Sequence, residues 1–83
     1  MLRILYFARL RETFCLSFEE IPSESINTVS DLKFMLAQRG GVWSRELASD
    51  RAVRVAVNQE MAHDGDVIRD GDEIALFPPV TGG

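Results

Sequence analysis

The residues of this chain best suited to covalent chemistry stand together at its end: Pro78, Pro79, Val80, Thr81, Gly82 and Gly83. Gly82 and Gly83 have no β-carbon, so they can pass through a narrow channel and let another protein's backbone approach the α-carboxylate closely. A fold gains nothing from ordering two terminal glycines, which lose more backbone entropy than any other residue. The carboxylate of Gly83 is a poor electrophile; adenylation would make it a good one. Pro78 and Pro79 fix φ and favour extended geometry, which aims the segment away from whatever precedes it. From Pro78 to Gly83 an extended chain reaches roughly 20 Å, at about 3.3 Å per residue. The competing reading is a frayed terminus of no function.

The remaining residues offer no second reactive constellation. The single histidine, His63, has no companion metal ligand at a recognised spacing, so no metal site is expected. The single cysteine, Cys15, lacks an activating neighbour and is expected to be a partly buried structural thiol. Two Asp-Gly-Asp triplets, at 64–66 and 70–72, lack the ligand alternation of a calcium loop and read as turns. The glycines at 40 and 41 follow a helix instead of opening one, so they do not cradle a phosphate. Any nucleotide involved is expected to sit on a partner.

Composition narrows the partners. The 83 residues have room for one core. A net charge of −4 works against nucleic acid, whose binding rests on neutralising phosphates, and favours a protein partner with a basic surface. No apolar run approaches the roughly 20 residues of a membrane helix, and a cytoplasmic protein is expected.

The elements that must position the tail follow from periodicity. Residues 2–8, "LRILYFA", read as a strand with Leu2, Ile4 and Tyr6 on one face and Arg3, Leu5 and Phe7 on the other. Residues 14–18, "FCLSF", read as its hairpin partner, with Phe14, Leu16 and Phe18 sharing a face. A helix is predicted from Thr28, its N-cap, with Val29, Leu32, Leu36 and Met35 as the apolar stripe and Gly40 or Gly41 as the stop. A further turn holds Trp43 and Leu47 toward the core. A strand over 52–59, "AVRVAVNQ", points Val53, Val55 and Val57 inward and Arg54, Ala56 and Asn58 outward; 61–68 reads as a short strand; and "EIALF", 73–77, is the last.

This order, β, β, α and then two or three strands, predicts an α+β fold: a mixed sheet of four to five strands with one main helix packed across it, the ubiquitin-like β-grasp. Residues 1–77 form the domain and 78–83 a flexible tail. The first and last strands lie parallel at the centre. Leu5, Phe7, Ala56 and Phe77 then face away from the helix, edged by Arg3 and Arg54, as a contiguous docking patch where the tail leaves.

The run "DGDEIALFPPVTGG", Asp70 to Gly83, resembles the C-terminal signature of the molybdopterin synthase small subunits, and "LYFARLRE" and "AVNQ" are similar to two strands of that family. The resemblance implies a sulfur carrier of molybdenum cofactor biosynthesis, without catalysis of its own and with no permanently bound cofactor. Gly83 would be adenylated at the expense of ATP by an enzyme similar to ubiquitin-activating enzymes. Sulfur from a persulfide donor would then replace AMP, leaving a thiocarboxylate. The tail, with Pro78, Pro79, Val80, Thr81 and Gly82 along a channel, would enter the large synthase subunit and give its sulfur to cyclic pyranopterin monophosphate. Two large and two small subunits make the usual assembly. Phe7 and Phe77 would anchor both partners by turns, with Met61, Leu5 and Arg3 in the same patch. The alternatives are a ubiquitin-like protein modifier and a thiamine-pathway carrier.

Overall fold

A computed structural model describes residues 1–47 and 53–78. The elements run β1 (Leu2–Tyr6), α1 (Arg9–Phe14), β2 (Phe18–Ile21), α2 (Val29–Ala37), α3 (Val42–Leu47), β3 (Arg54–Val57), β4 (Glu60–Ala62) and β5 (Glu73–Phe77). The strands form one sheet in the order β2-β1-β5-β3-β4. β1 and β5 are parallel and central, with Ile4 opposite Ile74 and Tyr6 opposite Leu76. The other three pairings are antiparallel. This is the mixed sheet with a helix across it that the periodicities predict.

One face of the sheet is buried because alternate residues of its central strands are aliphatic. Leu2, Ile4, Ile74 and Leu76 are wholly buried, as are Val29, Leu32 and Leu36 of α2, and they pack into one cluster. Burying each such side chain contributes about 1.5–3 kcal/mol. α2 begins where expected. The Asp31 N–H donates to Thr28 Oγ1 at 3.2 Å, and the Thr28 N–H donates to Asp31 Oδ2 at 3.2 Å, a reciprocal capping box. The helix ends at Ala37 with Gln38 as its cap, ahead of the predicted stop; Gly40, at φ 78°, then turns the chain toward α3.

The β1–β2 connection differs from the sequence expectation. Residues 9–14 are helical, and the strand starts at Phe18, not Phe14. Leu10 and Phe14 stand four apart, so both can face the core from a helix, and both are buried there. Phe14 stacks on Trp43 with ring centroids 3.8 Å apart and meets Tyr6 edge-on at 5.4 Å. Cys15 closes α1 in the left-handed conformation, φ 54°, and is exposed with its thiol donating to the Glu12 carbonyl at 3.6 Å. It is therefore not the partly buried thiol expected.

A polar lattice locks β2 to the end of α2. The Tyr6 hydroxyl donates to Glu19 Oε2 at 2.6 Å, and Arg39 donates through both terminal nitrogens to the Glu19 carboxylate at 2.8 Å each. The Arg39 guanidinium lies 4.5 Å over the Trp43 ring. Burial raises the Glu19 carboxyl, but the hydrogen bonds from Arg39 and Tyr6 outweigh it and hold the group below its ordinary range. Burial, reinforced by Glu19, pushes the Tyr6 phenol well above its usual range.

Asn58 and Gln59, predicted to end a strand, instead form the two-residue turn joining β3 to β4, with φ 51° and 71°, and the strand predicted over 61–68 is confined to Glu60–Ala62. Asparagine tolerates this left-handed geometry better than most residues. Its N–H donates to the Glu73 carbonyl at 2.8 Å and its Oδ1 accepts from the Glu73 N–H at 3.0 Å, tying the turn to the start of β5. The two Asp-Gly-Asp triplets are turns: Asp66 accepts from the His63 N–H and Asp72 from the Arg69 N–H, both at 2.8 Å. Among the described residues no group of three or more acidic, histidine or cysteine side chains is placed to hold a metal, and no helix is long and apolar enough to cross a membrane.

Candidate functional site

Among the described residues no helix lies on the second face of the sheet. Cross-strand register fixes what it displays. Phe18 is paired with Leu5, Leu5 with Ala75, Ala75 with Ala56, and Ala56 with Met61, so one apolar row crosses all five strands. Such pairs share a face because side chains alternate along each strand. Phe18 is 47% and Met61 60% exposed, whereas Ala56 is covered by its larger neighbours.

Above this row, at the strand ends, Phe7 and Phe77 stack with centroids 5.1 Å apart and ring planes 10° from parallel. The pair exists because β1 and β5 are parallel neighbours that finish at the same edge. The Phe7 N–H donates to the Leu76 carbonyl at 3.1 Å, and the Phe7 carbonyl accepts from the Leu10 N–H at 3.1 Å. Ala8 follows at φ 52°, ψ −130°, a conformation that costs a residue with a β-carbon about 1–3 kcal/mol. The backbone at Phe7 is thus held from both sides. Leu5, Phe7, Ala56, Met61, Ala75 and Phe77 line a shallow depression of about 370 Å³.

The candidate residues Leu5, Phe7, Met61 and Phe77 are therefore brought together. Arg3 shares their face, with its guanidinium 4.9 Å over the Phe18 ring, and its backbone register sets it between Glu20 and Glu73. Arg54 stands opposite Phe77 and, with Met61, Phe77 and Pro78, lines a small open recess of about 210 Å³. Pro78 leaves the sheet at this recess and is half-buried. Pro79, Val80, Thr81, Gly82 and Gly83 lie outside the described residues.

Phe18 is the member that sequence reasoning missed. Counting back by two from the buried Ile21 places Glu19 inward and Phe18 outward, and that signal was present. It was masked by the apparent alternation of Phe14, Leu16 and Phe18, whose first member belongs to α1.

The arrangement presents an aromatic and aliphatic surface that also carries Gln59 and Glu73, with Arg3 and Arg54 at its edge, just before Pro78. Exposed apolar groups that are contiguous and backed by a fixed sheet mark contact surfaces for other proteins.

Residues 4–83 match the ThiS family. A Haemophilus influenzae protein called molybdopterin synthase sulfur carrier subunit is 36% identical over 83 residues, covering all of both chains. A Haloferax volcanii protein solved in solution superposes with a TM-score of 0.83 at 26% identity, over 99% of this chain and 85% of its own. The crystal structure of small archaeal modifier protein 1 from Haloferax volcanii is similar at a TM-score of 0.68 and 30% identity, over 95% of this chain and 97% of its own. The chain belongs to the ThiS family, as a β-grasp protein related over its full length to a molybdopterin synthase sulfur carrier subunit.

Proposed function

We propose that this chain is the sulfur carrier subunit of a molybdopterin synthase. The observation that carries the reading is the stacked Phe7–Phe77 pair on an uncovered sheet face, one residue before the "PPVTGG" terminus. The full-length relationship to a carrier so named supports it. In this reading the body identifies the partner and the tail delivers the reagent. The Gly83 carboxylate is adenylated by ATP on a partner enzyme with release of pyrophosphate, and the terminal sulfur of a persulfide donor displaces AMP to give an acyl disulfide. A second thiol cleaves the S–S bond to leave the thiocarboxylate and a disulfide on the donor, and the thiocarboxylate enters the large subunit. Catalysis belongs to that subunit, while tethering supplies the sulfur at high effective concentration. One open face then serves the activating enzyme and the large subunit alternately.

The test is the intact mass of the protein after incubation with a competent adenylating enzyme, ATP and a sulfur donor. Exchange of one oxygen for sulfur at the C-terminus supports the proposal; an unchanged mass overturns it. The likeness to small archaeal modifier protein 1 favours a second reading, in which Gly83 forms amides with lysines of other proteins. That reading requires conjugates of higher mass that vanish when Gly83 is deleted.

A further inference from the structure

A second apolar surface lies on the helical side of the domain, away from the open sheet face. α2 turns Val29, Leu32 and Leu36 into the core, yet Phe34 points outward and is 67% exposed, more than any other large apolar residue among those described. Phe34, Met35, Ile26 and Pro22 line a groove of about 440 Å³ between α2 and the loop that precedes it. The ionisable residues on that groove are both acidic, Glu24 and Asp31. Asp31 is fixed there by the N–H groups of Asn27 and Thr28. Neither basic residue of α2 and its C-terminal turn lines the groove: Lys33 pairs with Asp64 at 2.8 Å, and Arg39 with Glu19.

We propose that this groove docks a segment of a different protein that presents a bulky apolar side chain flanked by lysine or arginine. Charge decides the occupant. A second copy using the same surface would set Glu24 and Asp31 against their own counterparts, on chains that each carry −4. A basic-flanked anchor instead fills the space beside Phe34 and meets the acidic rim. Because the groove and the open sheet face lie on opposite sides, such a partner binds while the sheet face is occupied. The proposal is independent of what Gly83 carries.

The test is an NMR titration of the isotope-labelled full chain with two synthetic probes, acetyl-Lys-Leu-Phe-Lys-amide and its counterpart with glutamates in place of the lysines. The basic probe is expected to shift the amides of Ile26, Phe34 and Met35, and the acidic probe to leave them unmoved. Phe34→Ser should abolish the response, and Glu24→Lys should weaken it at least about fivefold, since a rim charge of the right sign is reversed. Phe77→Asp, on the other face, should leave it intact. Absence of shifts with the basic probe, an equal response to both probes, or a dimer of the chain that Phe34→Ser dissolves would each overturn the proposal.

Discussion

Phe7 and Phe77, from opposite ends of the chain, lie ring on ring 5.1 Å apart on the open face of the sheet, with Pro78 directly after Phe77. Neither strand alone produces this surface; parallel pairing of β1 with β5 does.

Phe77→Asp should weaken binding of the large synthase subunit by about 30-fold, equivalent to about 2 kcal/mol for a central aromatic anchor. The domain should stay folded, because Phe77 is only half-buried and its strand is held by neighbours on both sides. Calorimetric titration beside a thermal melt separates the two effects. Unchanged affinity would place the interface elsewhere.

Adding one alanine after Gly83 should eliminate thiocarboxylate formation without altering the melting temperature. The extension moves the carboxylate away from Gly83 and onto a residue with a β-carbon. Intact-mass measurement after the activation reaction reads the outcome, and full conversion of the extended chain would contradict the role given to Gly83.

The Glu19 lattice should make stability depend on acid. Because the folded state holds this carboxyl below its unfolded value, its contribution is complete above the unfolded pKa of about 4.3 and is lost as pH falls through the lower folded value. Glu19→Gln should cost about 1–3 kcal/mol at neutral pH and flatten the decline in acid. Tyr6 gives the opposite sign. Its phenol is raised on folding, so its contribution is present below about pH 10 and lost at higher pH, and Tyr6→Phe should remove that alkaline loss. Denaturant melts across the pH range check both.

Thr28→Ala should destabilise the domain by about 1 kcal/mol, a fall in melting temperature of about 4–8 °C for a chain of this size. Asp31→Ala should cost a similar amount, and the double variant less than the sum, because each residue's cap depends on the other.

Much of this architecture was legible in the sequence because its signals do not compete. Leu2, Ile4 and Tyr6 alternate without interruption, and Thr28 with Asp31 marks the start of α2. The failure at residues 9–18 came from Phe14, which fits a helical spacing with Leu10 and a strand spacing with Phe18. Tertiary burial against Tyr6 and Trp43 settles that choice, and local sequence cannot supply it. The turn at Asn58 was hidden because no glycine announces it; its bonds to Glu73 come from a distant strand. The open face was legible to the extent that its strands were, which is why Phe18 was the residue lost.

Placing β5 at the centre of the sheet also sets an order of events during synthesis. The N-terminal half can form α2 early, but β1 and β3 have no shared neighbour until residues 73–77 have been made. Closing so long a loop comes late in folding and is entropically costly, so the core is completed by the same stretch of chain that introduces the tail. A ribosome that stalls before β5 yields a product with neither a finished core nor the Phe77 half of the stacked pair, and such an unfolded chain is open to proteolysis.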